Sequence, residues 1–273
     1  MKSMKPMKMS KMQKNQPDAA PSGQMIRLNR FLAMAGIGSR RNCDAFILEG
    51  RVTVNDAAVD RLGVRVDPEH DVVTFDGRRV TPPEAYVYIL LHKPLRTVTT
   101  AKDDRKRRTV LDLIGTDQRL FPVGRLDYNT TGALLITNDG DLSYHLIHPR
   151  FMVKKVYRVM LNKMIRPIDL HHFQNGVMLD DRKTSPCKAR EMRRMDNRSY
   201  LEVELHEGRN RQIRRMFETL GYQVEELSRV NFAGLQVNDL NPGEWRELTA
   251  GEVRMLKRMV EEQKDTVLQN EDV

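Results

Sequence analysis

The feature that most constrains this chain is the stretch 121–142, whose sequence is FPVGRLDYNTTGALLITNDGDL. It predicts a loop followed by a buried strand at 133–137, because Gly, Asn and Thr favour turns and the apolar run that follows is strand-sized. Asp127 lies in the loop between Gly124 and Gly132, which supply backbone freedom. Two interpretations of Asp127 remain open at this point: a functional carboxylate, or a loop aspartate whose oxygens accept backbone amides.

Composition bounds the class of protein. The 273 residues suffice for two domains, with a sizeable core in at least one. The chain has 46 Lys and Arg against 37 Asp and Glu, a net charge of +9 and a pI of about 9.6. This balance favours a polyanionic partner, nucleic acid before a membrane surface. No apolar run has transmembrane length, and no apolar segment follows the charged N-terminus. We therefore expect a cytoplasmic protein with no membrane partner.

Several kinds of site are not supported by the sequence. The two cysteines, Cys43 and Cys187, lie far apart and are predicted to be reduced, packed thiols. No phosphate-binding loop or complete dinucleotide fingerprint is present. The residues from Asp127 onward imitate the start of a calcium loop, but Asn138 stands where such a loop needs a glutamate. No histidines are spaced with cysteines or carboxylates as metal ligands, so no metal site is predicted.

Changes in composition divide the chain into five segments. Residues 1–24 are predicted to be a disordered basic tail, which either adds nonspecific phosphate affinity or is an inert leader. Residues 25–81 have the pattern of two short helices and a few strands, and two prolines mark a linker at 82–85. Residues 86–260 form a larger domain, and residues 261–273 are predicted to be a polar tail.

Arginines cluster on the two-helix segment, where Ser39 is predicted to cap the second helix. Five arginines around one helical corner favour contact with phosphates over the alternative, an ordinary solvated face. These arginines are Arg27, Arg30, Arg40, Arg41 and Arg51.

The same segment resembles the S4 RNA-binding domain. The resemblance is carried by IRLN at 26–29, GSRR at 38–41, ILEGRV at 47–52 and VN at 54–55. It implies binding to structured RNA through the shape and backbone of the RNA.

Two patterns in the larger domain add candidate side chains. Residues 154–161 alternate with period two, which predicts a strand in which Tyr157 is either a core tyrosine or a platform for a displaced base. Asn210 is predicted to cap an amphipathic helix, and Arg214 lies at the edge of its apolar stripe. Because a semi-buried arginine needs a carboxylate partner, Asp127 is a candidate for that partner.

Three motifs of the larger domain resemble pseudouridine synthases, in particular the branch typified by the ribosomal small-subunit synthase A and the large-subunit synthases B, E and F. The motifs are the 121–142 stretch, KVY at 155–157 and EGRNRQIRRM at 207–216. An N-terminal S4 domain fits most members of that branch. The resemblance implies an α+β fold, in which a small S4-like RNA-binding domain precedes a catalytic domain with a mixed, largely antiparallel sheet.

The resemblance also implies a reaction and a role for each candidate. A uridine within RNA would be isomerised by cutting its N-glycosidic bond, turning the uracil and rejoining it through carbon. Asp127 would be the essential carboxylate, which either attacks the ribose or removes a ribose proton, and an ion pair with Arg214 would keep it ionised. Tyr157 would stack on the flipped uracil and take part in the final proton removal. Arg125 would hold the nucleotide flipped out, and Leu227 would form part of the pocket wall.

The resulting hypothesis is an rRNA pseudouridine synthase that acts as a monomer, without metal or organic cofactor. Its partner would be a structured stem-loop of ribosomal RNA, free or in pre-ribosomal particles, and large-subunit rRNA is preferred. Lys93, which follows an apolar strand at 86–91, is added to the predicted RNA-binding residues. Two alternatives remain open: a noncatalytic RNA-binding ribosome-assembly factor, and a DNA-binding regulator that uses the two-helix corner.

Overall fold

The structure is a computed structural model that describes residues 25–83, 85–101, 103–116, 118–180 and 182–271. The predicted basic tail at 1–24 lies outside the described residues. The chain divides into two compact units. The first extends to Tyr86 and includes Asn138–Gly140, and the second comprises Val87–Thr137 and Asp141–Val273.

The first unit is a small α+β domain. Its elements in the described residues are β1 (Ile26–Arg27), α1 (Leu28–Met34), α2 (Arg40–Leu48), β2 (Val52–Val54), β3 (Ala57–Val59), β4 (Arg65–Val66), β5 (Val73–Phe75) and β6 (Arg78–Arg79). One sheet has the order β3-β2-β5-β6, and β1 pairs with β4. Leu28, Phe31 and Leu32 form the buried face of α1. The predicted cap of α2 is confirmed, since the Ser39 side chain accepts a hydrogen bond from the Asn42 amide at 3.2 Å.

The second unit is larger and carries the 121–142 stretch except for Asn138–Gly140. Its elements in the described residues are β7 (Tyr88–Lys93), β8 (Phe121–Pro122), β9 (Thr131–Thr137), α3 (Gly140–Ile147), a 3-10 turn (Pro149–Phe151), β10 (Lys155–Leu161), α4 (Pro167–Gln174), β11 (Met178–Leu179), β12 (Arg182–Lys183), β13 (Lys188–Met195), β14 (Arg198–Leu205), α5 (Gln212–Thr219), β15 (Val224–Phe232), β16 (Leu235–Gln236), β17 (Trp245–Glu247) and α6 (Ala250–Glu271).

Nine of the described strands of this unit form one sheet. The order is β13-β14-β10-β15-β9-β7-β17, with β8 paired to β9 and β16 paired to β15. Neighbouring strands are antiparallel except β9 and β15, which run parallel. The predicted α+β class with a mixed, largely antiparallel sheet is confirmed. Strand β9 is buried almost throughout, as its apolar sequence predicts for a central strand.

One helix start differs from the sequence prediction. Helix α5 begins after Arg211, and Asn210 does not cap it. Arg211 stands at the N-cap position with φ of +48° and makes no side-chain cap, and Gln212 Oε1 accepts a hydrogen bond from the Arg209 amide, before the helix, at 3.0 Å.

The C-terminal helix is longer than the composition suggested. Thr249 and Glu252 form a capping box at its start, in which each side chain accepts a hydrogen bond from the other residue's amide, at 2.8 and 3.2 Å. Helix α6 continues to Glu271, through most of the segment predicted as a polar tail at 261–273. The reason is that no Gly or Pro interrupts this polar sequence. No described helix is both long and apolar enough to cross a membrane.

Candidate active site

A cleft of about 1110 Å³ lies in the second unit, slightly above the roughly 300–1,000 Å³ that is usual for ligand sites. The loop between β8 and β9, residues 123–130, forms one wall and is called the Asp127 loop below. Strands β10 and β15 form another wall. The cleft brings together four of the side chains predicted from sequence, namely Arg125, Asp127, Tyr157 and Leu227. Arg214 and Lys93 do not line it.

Asp127 presents its carboxylate to this cleft. The loop is held through its backbone, since the Thr130 amide donates to the Asp127 carbonyl at 3.0 Å and the Thr99 hydroxyl donates to the Leu126 carbonyl at 2.7 Å. The Asp127 carboxylate itself is half-buried and has no hydrogen-bond or ion-pair partner among the described residues. The interpretation of Asp127 as an aspartate that satisfies backbone amides is therefore wrong. A carboxylate without an internal partner is available to a bound molecule.

Gly132 lets two strands of the site approach closely. It pairs with Arg229 where β9 and β15 run parallel, and its φ is +115°. A Cβ atom at this position would lie 2.1 Å from the Arg229 carbonyl oxygen. The close approach sets the distance between the Asp127 loop and the strand that carries Leu227 and Arg229.

Lys93 has a different role from the predicted contact with RNA. Its side chain is fully buried, and its Nζ donates to the carbonyl oxygens of Pro94, Asp127 and Thr130 at 3.0, 3.0 and 2.9 Å. Burial lowers the pKa of Lys93 from 10.5 to about 8, and the Asp127 charge partly opposes this shift. A fully buried ammonium cannot reach an RNA phosphate, so Lys93 fastens the Asp127 loop to β7 instead.

Replacing Lys93 with methionine should loosen this loop and destabilise the second unit. Three carbonyl groups lose their shared donor, and we expect the free energy of unfolding to fall by about 2–4 kcal/mol. Urea denaturation followed by circular dichroism measures the change. The matched control is Lys188→Met, because the Lys188 side chain is 84% exposed and its removal should change stability by less than about 0.5 kcal/mol. Equal stability of the two variants would contradict the role of Lys93.

The predicted ion pair between Asp127 and Arg214 is absent among the described contacts. Arg214 instead donates from Nη1 to the Val224 carbonyl at 2.7 Å and from Nη2 to the Asn129 carbonyl at 2.8 Å. It thus holds the Asp127 loop through its backbone. Burial and then the Arg211 charge lower the pKa of Arg214, and the Asp127 charge partly opposes this shift. A helical wheel gives the direction of Arg214 from α5, but not which atoms of the loop face it.

Arg229 is the site residue that sequence reasoning did not select. It is buried, lines the cleft, donates from Nε to the Ala133 carbonyl at 2.8 Å and places its Cζ 4.5 Å from the Phe232 ring centroid. Tyr157 is its partner on the neighbouring strand β10. Burial lowers the pKa of Arg229, and the Tyr157 hydroxyl raises it. The sequence did contain a signal for Arg229, because it lies on the inward face of an alternating strand and burying a charge there is costly unless the charge is paired.

The third motif closes the cleft with a network of side chains. Glu207 Oε1 accepts hydrogen bonds from the Gln212 side chain at 2.6 Å and from the Ser185 amide at 3.1 Å. Arg209 donates to the Arg182 and Lys183 carbonyls at 3.1 and 2.8 Å. Glu207, Arg209 and Gln212 line the cleft. Arg209 and the exposed side chains of Arg125 and Arg211 give its rim a positive charge suited to a phosphate backbone.

The arginines predicted for RNA contact in the first unit divide into two groups. Arg27, Arg40 and Arg41 are exposed and form no ion pair with another described residue, whereas Arg30 is half-buried. Arg51 is occupied within the domain: it pairs with Asp76 and Glu49 and lies between the Phe46 and Phe75 rings, 4.6 and 4.7 Å from their centroids. We therefore assign Arg51 to the structure of the domain and not to RNA contact.

No group of three or more His, Cys, Asp or Glu side chains in the described ranges is placed to hold a metal ion.

Known proteins resemble this chain both in sequence and in structure. Residues 87–219 match the family described as RNA pseudouridylate synthase, and residues 26–73 match the S4 domain. The chain is 40% identical over 245 residues to the ribosomal large subunit pseudouridine synthase B of Bacillus subtilis (strain 168), an alignment that covers 88% of this chain and 99% of that protein.

Two further similarities extend over nearly the same length. An uncharacterized RNA pseudouridine synthase of Aquifex aeolicus (strain VF5) is 39% identical over 237 residues, which cover 86% of this chain and 95% of that protein. A crystal structure of a pseudouridylate synthase aligns with a TM-score of 0.62 and 28% identity, over 85% of this chain and 99% of that one.

Proposed function

This chain belongs to the RNA pseudouridylate synthase family, and from that premise we propose that it converts a specific uridine of large-subunit ribosomal RNA to pseudouridine, with Asp127 as the catalytic carboxylate. One observation carries the residue assignment. The Asp127 carboxylate has no internal partner and lines the same cleft as Tyr157 and Arg125. The S4 domain binds the RNA, and we assign its phosphate contacts to Arg27, Arg40 and Arg41.

The cleft supports a flipped-out nucleotide as substrate. A base inside an RNA helix is inaccessible to Asp127, so the uridine must leave its stack, and the energy of unstacking must be recovered inside the cleft. Tyr157 supplies an aromatic face for the uracil, and Leu227 on the neighbouring strand supplies an apolar wall. Arg125, exposed at the rim, is placed to hold the phosphate backbone of the displaced nucleotide.

Asp127 begins the reaction by one of two routes. Its carboxylate attacks the ribose carbon that bears the base and displaces uracil, or it removes a proton from the neighbouring ribose carbon so that the uracil leaves with the electron pair of the N-glycosidic bond. In either route the uracil stays in the cleft and turns, and its C5 atom bonds to the ribose carbon. This bond displaces the Asp127 carboxylate from the ribose carbon in the first route, and in the second route Asp127 returns its proton to the neighbouring ribose carbon. The proton on C5 is then lost, a step in which Tyr157 takes part. Both routes need Asp127 ionised at the start.

The preference for large-subunit rRNA rests on one relative. The Bacillus subtilis protein with 40% identity, aligned over 99% of its length, is named a ribosomal large subunit pseudouridine synthase. Such identity over both domains supports the same class of RNA. The proposal includes action in the cytoplasm, on a structured stem-loop of the rRNA or of a pre-ribosomal particle.

Pseudouridine mapping on unmodified rRNA transcripts tests the proposal. The full chain is incubated separately with large-subunit and small-subunit transcripts, and pseudouridines are located by chemical modification and primer extension. We expect modification at a defined uridine of the large-subunit transcript. Modification confined to the small-subunit transcript would overturn the choice of RNA. Binding without any pseudouridine on either transcript would favour the noncatalytic assembly factor.

A further inference from the structure

An aromatic and cationic surface lies beside the cleft, outside the catalytic set described above. Tyr144 and His148 are one helical turn apart, on α3 and directly after it, and Arg150 belongs to the 3-10 turn that follows. His145 and Phe151 lie beneath them and are 6% and 3% exposed. We refer to Tyr144, His148 and Arg150, with these two buried rings, as the Tyr144 surface.

The rings of the Tyr144 surface support one another. The Tyr144 ring centroid lies 5.1 Å from His148 and 6.0 Å from Phe151, and the Tyr144 and Phe151 rings meet edge to face. The Arg150 guanidinium carbon lies 4.6 Å from the Phe151 centroid and 5.8 Å from the Tyr144 centroid. These contacts restrict the side chains and leave an aromatic face prepared for stacking.

Core packing does not explain the exposure of Tyr144. Its neighbours His145 and Phe151 are buried, whereas Tyr144 remains 43% exposed and Ile147 46% exposed. The surface also carries positive charge that the protein does not neutralise, because Arg150 is exposed and forms no ion pair with a described acidic residue. Exposed aromatic and cationic groups in contact are the combination that binds single-stranded RNA.

Ile147 connects the Tyr144 surface to the active-site cleft. It lies on α3 between Tyr144 and His148, and it lines the cleft. A Cβ atom built on Gly124, three residues before Asp127, would lie 3.4 Å from the Ile147 side chain. The Tyr144 surface therefore lies next to the edge of the cleft that Ile147 lines.

We propose that the Tyr144 surface is a stacking subsite for an unpaired RNA base next to the flipped uridine. The position of this base next to the modified uridine rests on the function proposed above. Tyr144 supplies the stacking face, and His148 and Arg150 supply hydrogen-bond donors and charge for the adjoining phosphate. The subsite recognises any base by its aromatic face, so it contributes affinity and positioning of the strand more than sequence choice.

The subsite is tested by Tyr144→Ala and Tyr144→Phe, with Met192→Ala as the control for loss of an exposed apolar side chain on β13. The first probe is a fluorescein-labelled oligouridylate of about twelve nucleotides, whose Kd is measured by fluorescence anisotropy at fixed salt. We expect Tyr144→Ala to raise Kd at least about fivefold, and Tyr144→Phe and Met192→Ala to stay within about twofold of wild type. Arg150→Ala should weaken binding and reduce its dependence on salt.

A second readout uses the rRNA transcript that wild type modifies. Tyr144→Ala should raise KM with kcat within about twofold, because Tyr144 touches the flanking base and not the reacting atoms. An unchanged Kd, a loss in Tyr144→Phe equal to that in Tyr144→Ala, or a fall in kcat alone would overturn the subsite. Wild type that forms no pseudouridine would overturn the proposed function instead, and the anisotropy series would still decide whether the surface stacks RNA bases.

Discussion

Asp127→Asn should abolish pseudouridine formation while leaving the fold and RNA affinity nearly unchanged. Asparagine has the shape of aspartate but can neither attack the ribose nor accept its proton, so we expect the single-turnover rate to fall by at least about a thousandfold. Stability should be preserved, because the Asp127 carboxylate has no partner among the described residues that the substitution would remove. Single-turnover pseudouridine formation, thermal unfolding and RNA binding are measured on the same preparation.

The matched control for this experiment is Asp104→Asn, which makes the same chemical change at an exposed position of the same cleft. No role is assigned to Asp104, and we expect its substitution to change the rate by less than about twofold. Retention of activity by Asp127→Asn, or equal losses in the two variants, would show that the assignment of Asp127 is wrong.

Gly132→Ala should prevent the second unit from folding normally. The added Cβ would meet the Arg229 backbone at 2.1 Å from its oxygen and 2.6 Å from its nitrogen, and backbone atoms cannot rotate away as a flexible side chain can. The parallel pairing of β9 and β15 must open to admit it, so we expect a loss of about 3–5 kcal/mol in the free energy of unfolding. Urea denaturation measures the loss, and the soluble yield measures it when too little folded protein remains.

Two other glycines separate the causes of that effect. Gly243 has φ of +98° with nothing within 4 Å of a built Cβ, so Gly243→Ala reports the conformational strain alone, expected to cost about 1–2 kcal/mol. Gly251 in α6 has neither a positive φ nor a close contact at a built Cβ, whose nearest atom lies 3.8 Å away. Gly251→Ala should therefore be neutral or slightly stabilising. Should Gly132→Ala cost no more than Gly243→Ala, the contact with Arg229 would not be the reason for this glycine.

Sequence patterns located the side chains that line the candidate site better than the residues that hold them in place. Asp127 and Tyr157 were predictable because each belongs to a local motif: a carboxylate on a turn before a core strand, and a tyrosine on an alternating strand. The partner of Arg214 was not predictable in the same way, because it depends on which backbone atoms the packed loop turns toward α5.

The same limit applies to Lys93 and Gly132. A lysine at the end of an apolar strand is ordinarily exposed, and only the folded path of residues 127–130 supplies the carbonyl groups that bury it. Gly132 was recognisable as a position of backbone freedom. The need for it is stricter than freedom, because a strand about 97 positions later in the chain passes against it. Long-range register of this kind is not encoded in any local pattern.

The strand order β10-β15-β9 has a consequence for how the enzyme becomes active as it is made. The strand that follows Asp127 and the strand that carries Tyr157 are close in sequence, but β15 separates them in the sheet. A ribosome releases the chain from its N-terminus, so the S4 domain is complete long before Val224–Phe232 emerges. The growing chain therefore acquires its RNA-binding domain first, and the two halves of the cleft reach their working separation only when β15 inserts between them.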